Sequence, residues 1–368
     1  MKSFVNSALM LLASLTAASP LEHLENIFYK TALIQFSASD FEAFGLPSSY
    51  FSDLLFIALD EQSHVDLLTT AIAAAGSTPV APCSYNFPFT DVQSFLTLSS
   101  VLEGVGTSAY LGAAPLVTDK TILTTAASIM VTEALHTSQQ RAVVQQVPAS
   151  NPLGTPLGAN SAFTLAASFI LSCPSGNPSL PFTAFPSLAI DTSSCSSASS
   201  SGYDHDSSSG KSKNSDNSNS TYSYSSSSRH RHRRGSKNQS SSSSLSPPPS
   251  CFVTETITII ASVSIPSDIE VTSLFVTFIS GLTVVSVEIL TATDVTGSNP
   301  SLTAVIPPAI EGGQTYIFVT NKDISGGTLV DQDIVMGPGI TEITAGTPFI
   351  DPEVVIKRSE LVVGVSIP

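Results

Sequence analysis

Two segments of this chain repeat one spacing of chemistry-bearing side chains, and the repeat restricts the fold more than any other feature does. Glu61-Gln62-Ser63-His64 and Glu133-Ala134-Leu135-His136 are both Glu-x-x-His. On a helix that spacing puts carboxylate and imidazole on one face, one turn apart. Between and before them stand two lone glutamates, Glu22 and Glu103, each followed seven residues later by a tyrosine, Tyr29 and Tyr110. Seven residues are two helical turns, so each glutamate shares a face with its tyrosine. The unit of a glutamate followed by Glu-x-x-His therefore occurs twice, and it matches the ligand set of a carboxylate-bridged pair of metal ions inside four helices. Two divalent ions carry four positive charges, which four carboxylates balance, while each imidazole fills one position on one ion. Without metal, four glutamates in an apolar interior are relieved only by protonation or pairing.

The surrounding pattern suits such a bundle. Leu54, Leu55, Ile57, Ala58, Val65 and Leu68 flank one motif, and Ile129, Met130, Val131 and Ala134 the other. Breaks at Gly45-Leu46-Pro47, Gly76 to Pro82, Pro115 and Pro148 to Pro156 predict helices near 20–38, 48–75, 91–113 and 119–146, with a shorter fifth near 158–171. Gly76 is the expected C-terminal stop of the second, and Asp91 or Thr90 the N-cap of the third. Tyr29 and Tyr110 are expected beside the ligands, their hydroxyls bonding ligand carboxylates; radical chemistry is the alternative role.

Composition divides the rest. Residues 1–18 have the pattern of an export signal: Lys2, an apolar run over Ala8 to Leu15, and small residues Ala17, Ala18 and Ser19 at the cleavage point. The alternative is a hydrophobic first helix. Residues 19–190 form the helical domain, and 191–250 are a serine-rich stretch too poor in apolar side chains to fold, read as a disordered linker. It contains the basic run Arg229 to Arg234 and two glycosylation sequons, at Asn219 and Asn238. From Cys251 the period becomes two, with strand patterns at Val253 to Ile259, Leu274 to Ile279, Thr283 to Leu290, Thr315 to Thr320 and Ile334 to Met336. These predict a β-sandwich over 251–350, followed by a tail at 351–368. The fold class is thus a helical bundle plus a separate β domain. Four cysteines fit an oxidising compartment and allow three pairings; Cys83 with Cys173, inside one domain, and Cys195 with Cys251, bracketing the linker, is the arrangement preferred. A formal net charge of −15 argues against nucleic acid as a partner, and no apolar run after the first 20 residues is long enough to span a membrane.

Leu21-Glu22-His23-Leu24-Glu25-Asn26 with Phe28-Tyr29, Asp60-Glu61-Gln62-Ser63-His64-Val65, Pro82-Cys83-Ser84-Tyr85 with Phe87-Pro88, Leu102-Glu103-Gly104-Val105-Gly106 with Ala109-Tyr110-Leu111-Gly112, and Glu133-Ala134-Leu135-His136 resemble the secreted ferritin-like family of fungi. The likeness runs from Leu21 to Leu188, and Gly313-Gln314-Thr315-Tyr316 with Met336-Gly337-Pro338 is similar to the β-rich end of the same proteins. It implies a ferritin-like four-helix bundle, a metal site, secretion and a stress or desiccation response in a fungal source. One departure is the short lead before the first helix: cleavage after Ala18 makes Glu22 the fourth residue of the mature chain, with Glu25, one turn further in, as the alternative ligand. The expected metal ligands are Glu22, Glu61, His64, Glu103, Glu133 and His136, with Tyr29, Tyr110 and Glu25 behind them. They would hold two iron ions, with manganese as the alternative. Two functions follow: iron oxidation or redox protection with dioxygen or peroxide as co-substrate, or a non-catalytic metal-binding scaffold at the cell surface, where the basic run could meet acidic wall polymers.

Overall fold

The computed structural model describes residues 2–195, 248–265 and 270–344, with side chains from Ser19 onward. Six helices come first: α1 (Lys2–Gln35), α2 (Ala38–Phe44), α3 (Tyr50–Ala74), α4 (Val92–Ala113), α5 (Lys120–Val143) and α6 (Ala159–Ala167). The first helix begins at Lys2 rather than near 20, so the backbone of the expected export signal is its first turns; the side chains of 1–18 lie outside the described residues. The short α2 has no counterpart among the expected helices. It is a capping-box helix, with Asp40 bonded back to the Ser37 amide at 2.7 Å, and it carries Phe41 into the core.

The long helices start and stop where local chemistry dictates. Asp91 accepts the Ser94 amide at 2.8 Å to open α4, and Asp119 accepts those of Thr121 and Ile122 to open α5. Gly76, at φ 82°, takes the left-handed conformation that ends α3. α1 packs on α3, α4 on α5, and α1 also on α4. An aromatic cluster seals one end of the assembly: Phe28 stacks on Phe95 with ring centroids 5.2 Å apart and meets Phe87 and Phe89 edge-on.

One short strand lies between α3 and α4, and after α6 the chain becomes extended. β1 (Ser84–Tyr85) pairs antiparallel with β2 (Ile170–Ser172), beside the Cys83–Cys173 disulfide. β2 occupies the end of the span expected as the fifth helix. β3 (Leu188–Asp191) joins a second sheet, so the domain boundary expected at 190 falls inside a strand; a four-residue apolar run among prolines has too few repeats to show its period. The remaining strands are β4 (Cys251–Phe252), β5 (Thr256–Ala261), β6 (Phe275–Ser280), β7 (Thr283–Glu288), β8 (Thr291–Thr293), β9 (Ser301–Val305), β10 (Gly313–Thr320) and β11 (Ile334–Thr344). The strand expected from Val253 begins only at Thr256, because Thr254 sits at φ 71° and turns the chain between β4 and β5. A five-stranded sheet in the order β4-β11-β10-β6-β7 faces a four-stranded sheet in the order β3-β5-β9-β8. Ile257, Ile259, Leu302 and Ala304 of one meet Val276, Phe278, Ile317, Val319 and Met336 of the other in a shared core. The second disulfide, Cys195–Cys251, closes the ends of the serine-rich stretch. Residues 196–247, including Asn219, Asn238 and the basic run, and the tail beyond 344 lie outside the described residues.

The sheet-rich domain has its own core and docks on the helices by its other face. Successive β10 residues point opposite ways. Ile317 and Val319 face the second sheet, whereas Tyr316 and Phe318 join the core of the helices with Ile279. The Tyr316 hydroxyl donates to the Gly104 carbonyl at 3.2 Å and lies 2.9 Å from Ser108 Oγ, and Gln314 Nε2 donates to the Val101 carbonyl, so β10 grips the middle of α4. Gly104 has no Cβ where one would stand 2.3 Å from Gln314 Oε1. At the far end Arg141 of α5 forms a two-pronged pair with Glu342 of β11, at 2.7 and 3.0 Å.

Arg141→Ala is expected to destabilise the protein by about 3 kcal/mol in denaturant unfolding, since it leaves Glu342 uncompensated at the seam. Arg141→Met combined with Glu342→Leu should recover most of that loss. A double variant no better than the single one would contradict this view of the seam.

Candidate metal centre

The four long helices bring the predicted ligands to one place. α1 carries Glu22, α3 carries Glu61 and His64, α4 carries Glu103, and α5 carries Glu133 and His136. All four glutamates are 0 % exposed. Their donor atoms form two interlocked groups, each with every ligand atom within 4.8 Å of the others: Glu22, Glu61, His64 and Glu133 in one, and Glu61, Glu103, Glu133 and His136 in the other. Glu61 and Glu133 belong to both. Each group thus combines one histidine with three carboxylates, a donor set compatible with a metal ion.

His64 Nδ1 is hydrogen-bonded to Glu22 Oε2, whereas the oxygens of Glu61 and Glu133 and Nδ1 of His136 have no such partner. His64 Nδ1 lies 3.1 Å from Glu22, 3.1 Å from Glu133 and 3.5 Å from Glu61. His136 Nδ1 lies 3.0 Å from Glu61 and 3.4 Å from Glu103, yet is not aligned for a hydrogen bond. Both oxygens of Glu61, both of Glu133 and Oε2 of Glu103 are buried with no hydrogen-bond partner. Buried polar atoms are ordinarily satisfied. So many unpaired acceptors around one space are what a divalent-cation site requires, and carboxylate and imidazole together suit iron, manganese or zinc.

Further residues hold these ligands. The Tyr29 hydroxyl on α1 donates to Glu103 on α4 and lies 2.8 Å from Ser99 Oγ, and the Tyr110 hydroxyl on α4 donates to Glu22 on α1. Each tyrosine thus supports the glutamate of the other helix, not the one seven residues before it on its own. Burial pushes both phenols well above their ordinary range, and their carboxylate neighbours push them further, so they stay protonated donors. His136 Nε2 faces Asp60 Oδ2 at 3.3 Å, the carboxylate that orients the ring from behind. Asp60 is not among the residues expected at the site, because its contact crosses from α3 to α5 and helical spacing along one segment does not show it. Glu25 is buried beside the cluster and is not a member of either group. His23, the third histidine of the helices, is bonded to the Val80 carbonyl and stands apart from the cluster.

In the metal-free protein this much acid is tolerated through protons. Burial above all, then neighbouring carboxylates, push Glu25 and Glu133 well above the usual carboxyl range; burial also raises Glu103, against the pull of His136. Burial alone would lower the imidazoles, but the glutamates around them outweigh it, taking His64 up to about 12 and His136 up to about 11.

Residues 12–146 match the family model described as a ferritin-like domain. The chain is 28% identical over 177 residues to the protein named rds1 of Schizosaccharomyces pombe; the match takes in 48% of this chain and 43% of that protein's length. Both findings support a ferritin-like family for the helical region.

Because Glu25, Glu103, Glu133 and both histidines bind protons more tightly in the folded metal-free state than in an unfolded chain, their contribution to stability is lost as pH rises. It is complete below the ordinary values, 4.5 for the carboxyls and 6.5 for the imidazoles, and disappears towards the raised ones. Metal has to displace those protons, so its affinity runs the other way and increases with pH. Thermal unfolding between about pH 5 and about pH 8 is expected to show the metal-free protein losing stability and the metal-loaded protein gaining it. Parallel trends in the two forms would contradict the proton-for-metal exchange.

Proposed function

We propose that the helical domain holds two iron ions between Glu61 and Glu133, one completed by Glu22 and His64 and the other by Glu103 and His136, and that it serves iron oxidation or redox protection outside the cell. The observation that supports this reading is the pair of interlocked groups of buried ligand atoms that share Glu61 and Glu133. A bound iron pair supplies two electrons to dioxygen or peroxide.

The protein's own part is to position and to insulate. Tyr29 and Tyr110 keep Glu103 and Glu22 pointed inward, and Asp60 fixes the ring of His136. The four glutamates are fully buried, so bulk water is kept from them and each charge interaction among them is strengthened. Removing Fe(II) before it meets peroxide is a protective chemistry in its own right, and manganese remains the alternative metal on the same donors.

Two disulfides are compatible with an extracellular location. No helix among the described residues is long and apolar enough to cross a membrane. Cleavage after Ala18 would leave Ser19 and Pro20 to start the mature helix. Proline suits a first turn, where its missing amide hydrogen is not needed. Glu22 would then rely on Tyr110 and the metal to hold it near a free end.

The test is oxygen consumption on adding Fe(II) to purified full-length protein, followed by metal analysis. Rapid uptake, with about two ions retained per chain, is expected. His64→Ala and His136→Ala should each reduce both metal content and thermal stability, whereas Glu42→Ala, on the exposed face of α2, should change neither. Metal retained without oxygen uptake would favour the scaffold reading, and no retained metal would contradict both.

A further inference from the structure

We infer that Glu25 is a fifth carboxylate ligand of the metal pair, admitted by the absence of a side chain at Gly106; the inference rests on the dinuclear reading above. Glu25 lies one turn after Glu22 on α1 and is 2 % exposed. Its Oε2 is buried with no hydrogen-bond partner. A carboxyl retained this deep for structural reasons would be paired, because an unsatisfied buried acceptor costs the protein stability.

Gly106 explains how Glu25 reaches the cluster. A Cβ on this residue would stand 2.7 Å from Glu25 Oε1 and 2.7 Å from Glu133 Oε2, closer than carbon and oxygen can approach. The two carboxylates, from α1 and α5, thus flank one small space opened by a single residue of α4. Helices do not favour glycine, which weakens a helix interior by about 1 kcal/mol relative to alanine. Gly106 is at φ < 0 in mid-helix, so backbone conformation does not call for it; the two acids do. Gly104, two residues earlier, faces the opposite way onto Gln314 of β10.

Glu133 is one of the two carboxylates shared between the ligand groups, so a donor beside it is next to the ions themselves. Glu22, Glu61, Glu103 and Glu133 are all near enough to repel Glu25. A cation is the one partner that converts this repulsion into attraction. Charge balance gives the fifth ligand a purpose: four carboxylates neutralise two divalent ions, and a fifth offsets one of the two further charges that a trivalent pair brings.

Co(II) titration of the full-length protein tests this, with Glu25→Gln and Gly106→Ala beside wild type. Glu25→Gln keeps shape and removes the anionic donor. It is expected to weaken Co(II) binding roughly tenfold and to intensify the visible absorption bands, as one ion loses an oxygen ligand. The metal-free variant should melt no lower than wild type, since a buried repelling acid has gone. Gly106→Ala should reproduce the spectral change by crowding both carboxylates; should it fail to fold, Glu25→Gln decides alone. A Glu25→Gln protein with wild-type affinity and spectrum, or one whose only change is a lower melting temperature, overturns the inference and leaves the two-metal reading intact. Wild-type protein that takes up no Co(II) overturns both.

Discussion

The repulsion among buried carboxylates is the interaction on which the rest of the structure depends. Glu22 and Glu25 of α1, Glu61 of α3, Glu103 of α4 and Glu133 of α5 meet at the centre of the four long helices, and each has lost its water. Two imidazoles offset only part of this charge. The interior therefore has two ways to exist: with protons held far above their ordinary range, or with cations. The tyrosine bonds crossing between α1 and α4 make sense in this light, because they hold in place acids that would otherwise turn away from one another.

Such a centre needs helices that do not shift, and α4 is where the constraint concentrates. It carries Glu103 and Tyr110, presents Gly106 to the acids, and is gripped on its other side by Gln314 and Tyr316 of β10. The five-stranded sheet is thus as much a wall of the helical domain as a half of the sandwich. Its central strand is apolar in both phases, Tyr316-Ile317-Phe318-Val319, because both of its faces are covered. Arg141 and Glu342 fasten the same seam from α5.

What could be read from the sequence was local or periodic. Glu-x-x-His is legible because helical spacing alone puts its two donors on one face, and its doubling gives two such donor pairs. The end of α3 and the start of α4 are legible in Gly76 and Asp91, which act on their own turns. Features that depend on one element meeting another were not legible. β3 has four residues and gains its identity only by pairing with β5. Asp60 matters because α5 brings His136 over it, and Glu25 because α4 happens to lack a side chain opposite. The docking of β10 had a sequence signature, its two-phase apolar run, but which surface covers the second face is decided in three dimensions.

Anomalous X-ray scattering from crystals of the iron-loaded full-length protein would address the central claim most directly. The account predicts two peaks per chain, about 3.5–4 Å apart, lying between Glu61 and Glu133, one beside His64 and the other beside His136. A single peak, or iron bound only at the surface with the buried acids empty, would contradict it.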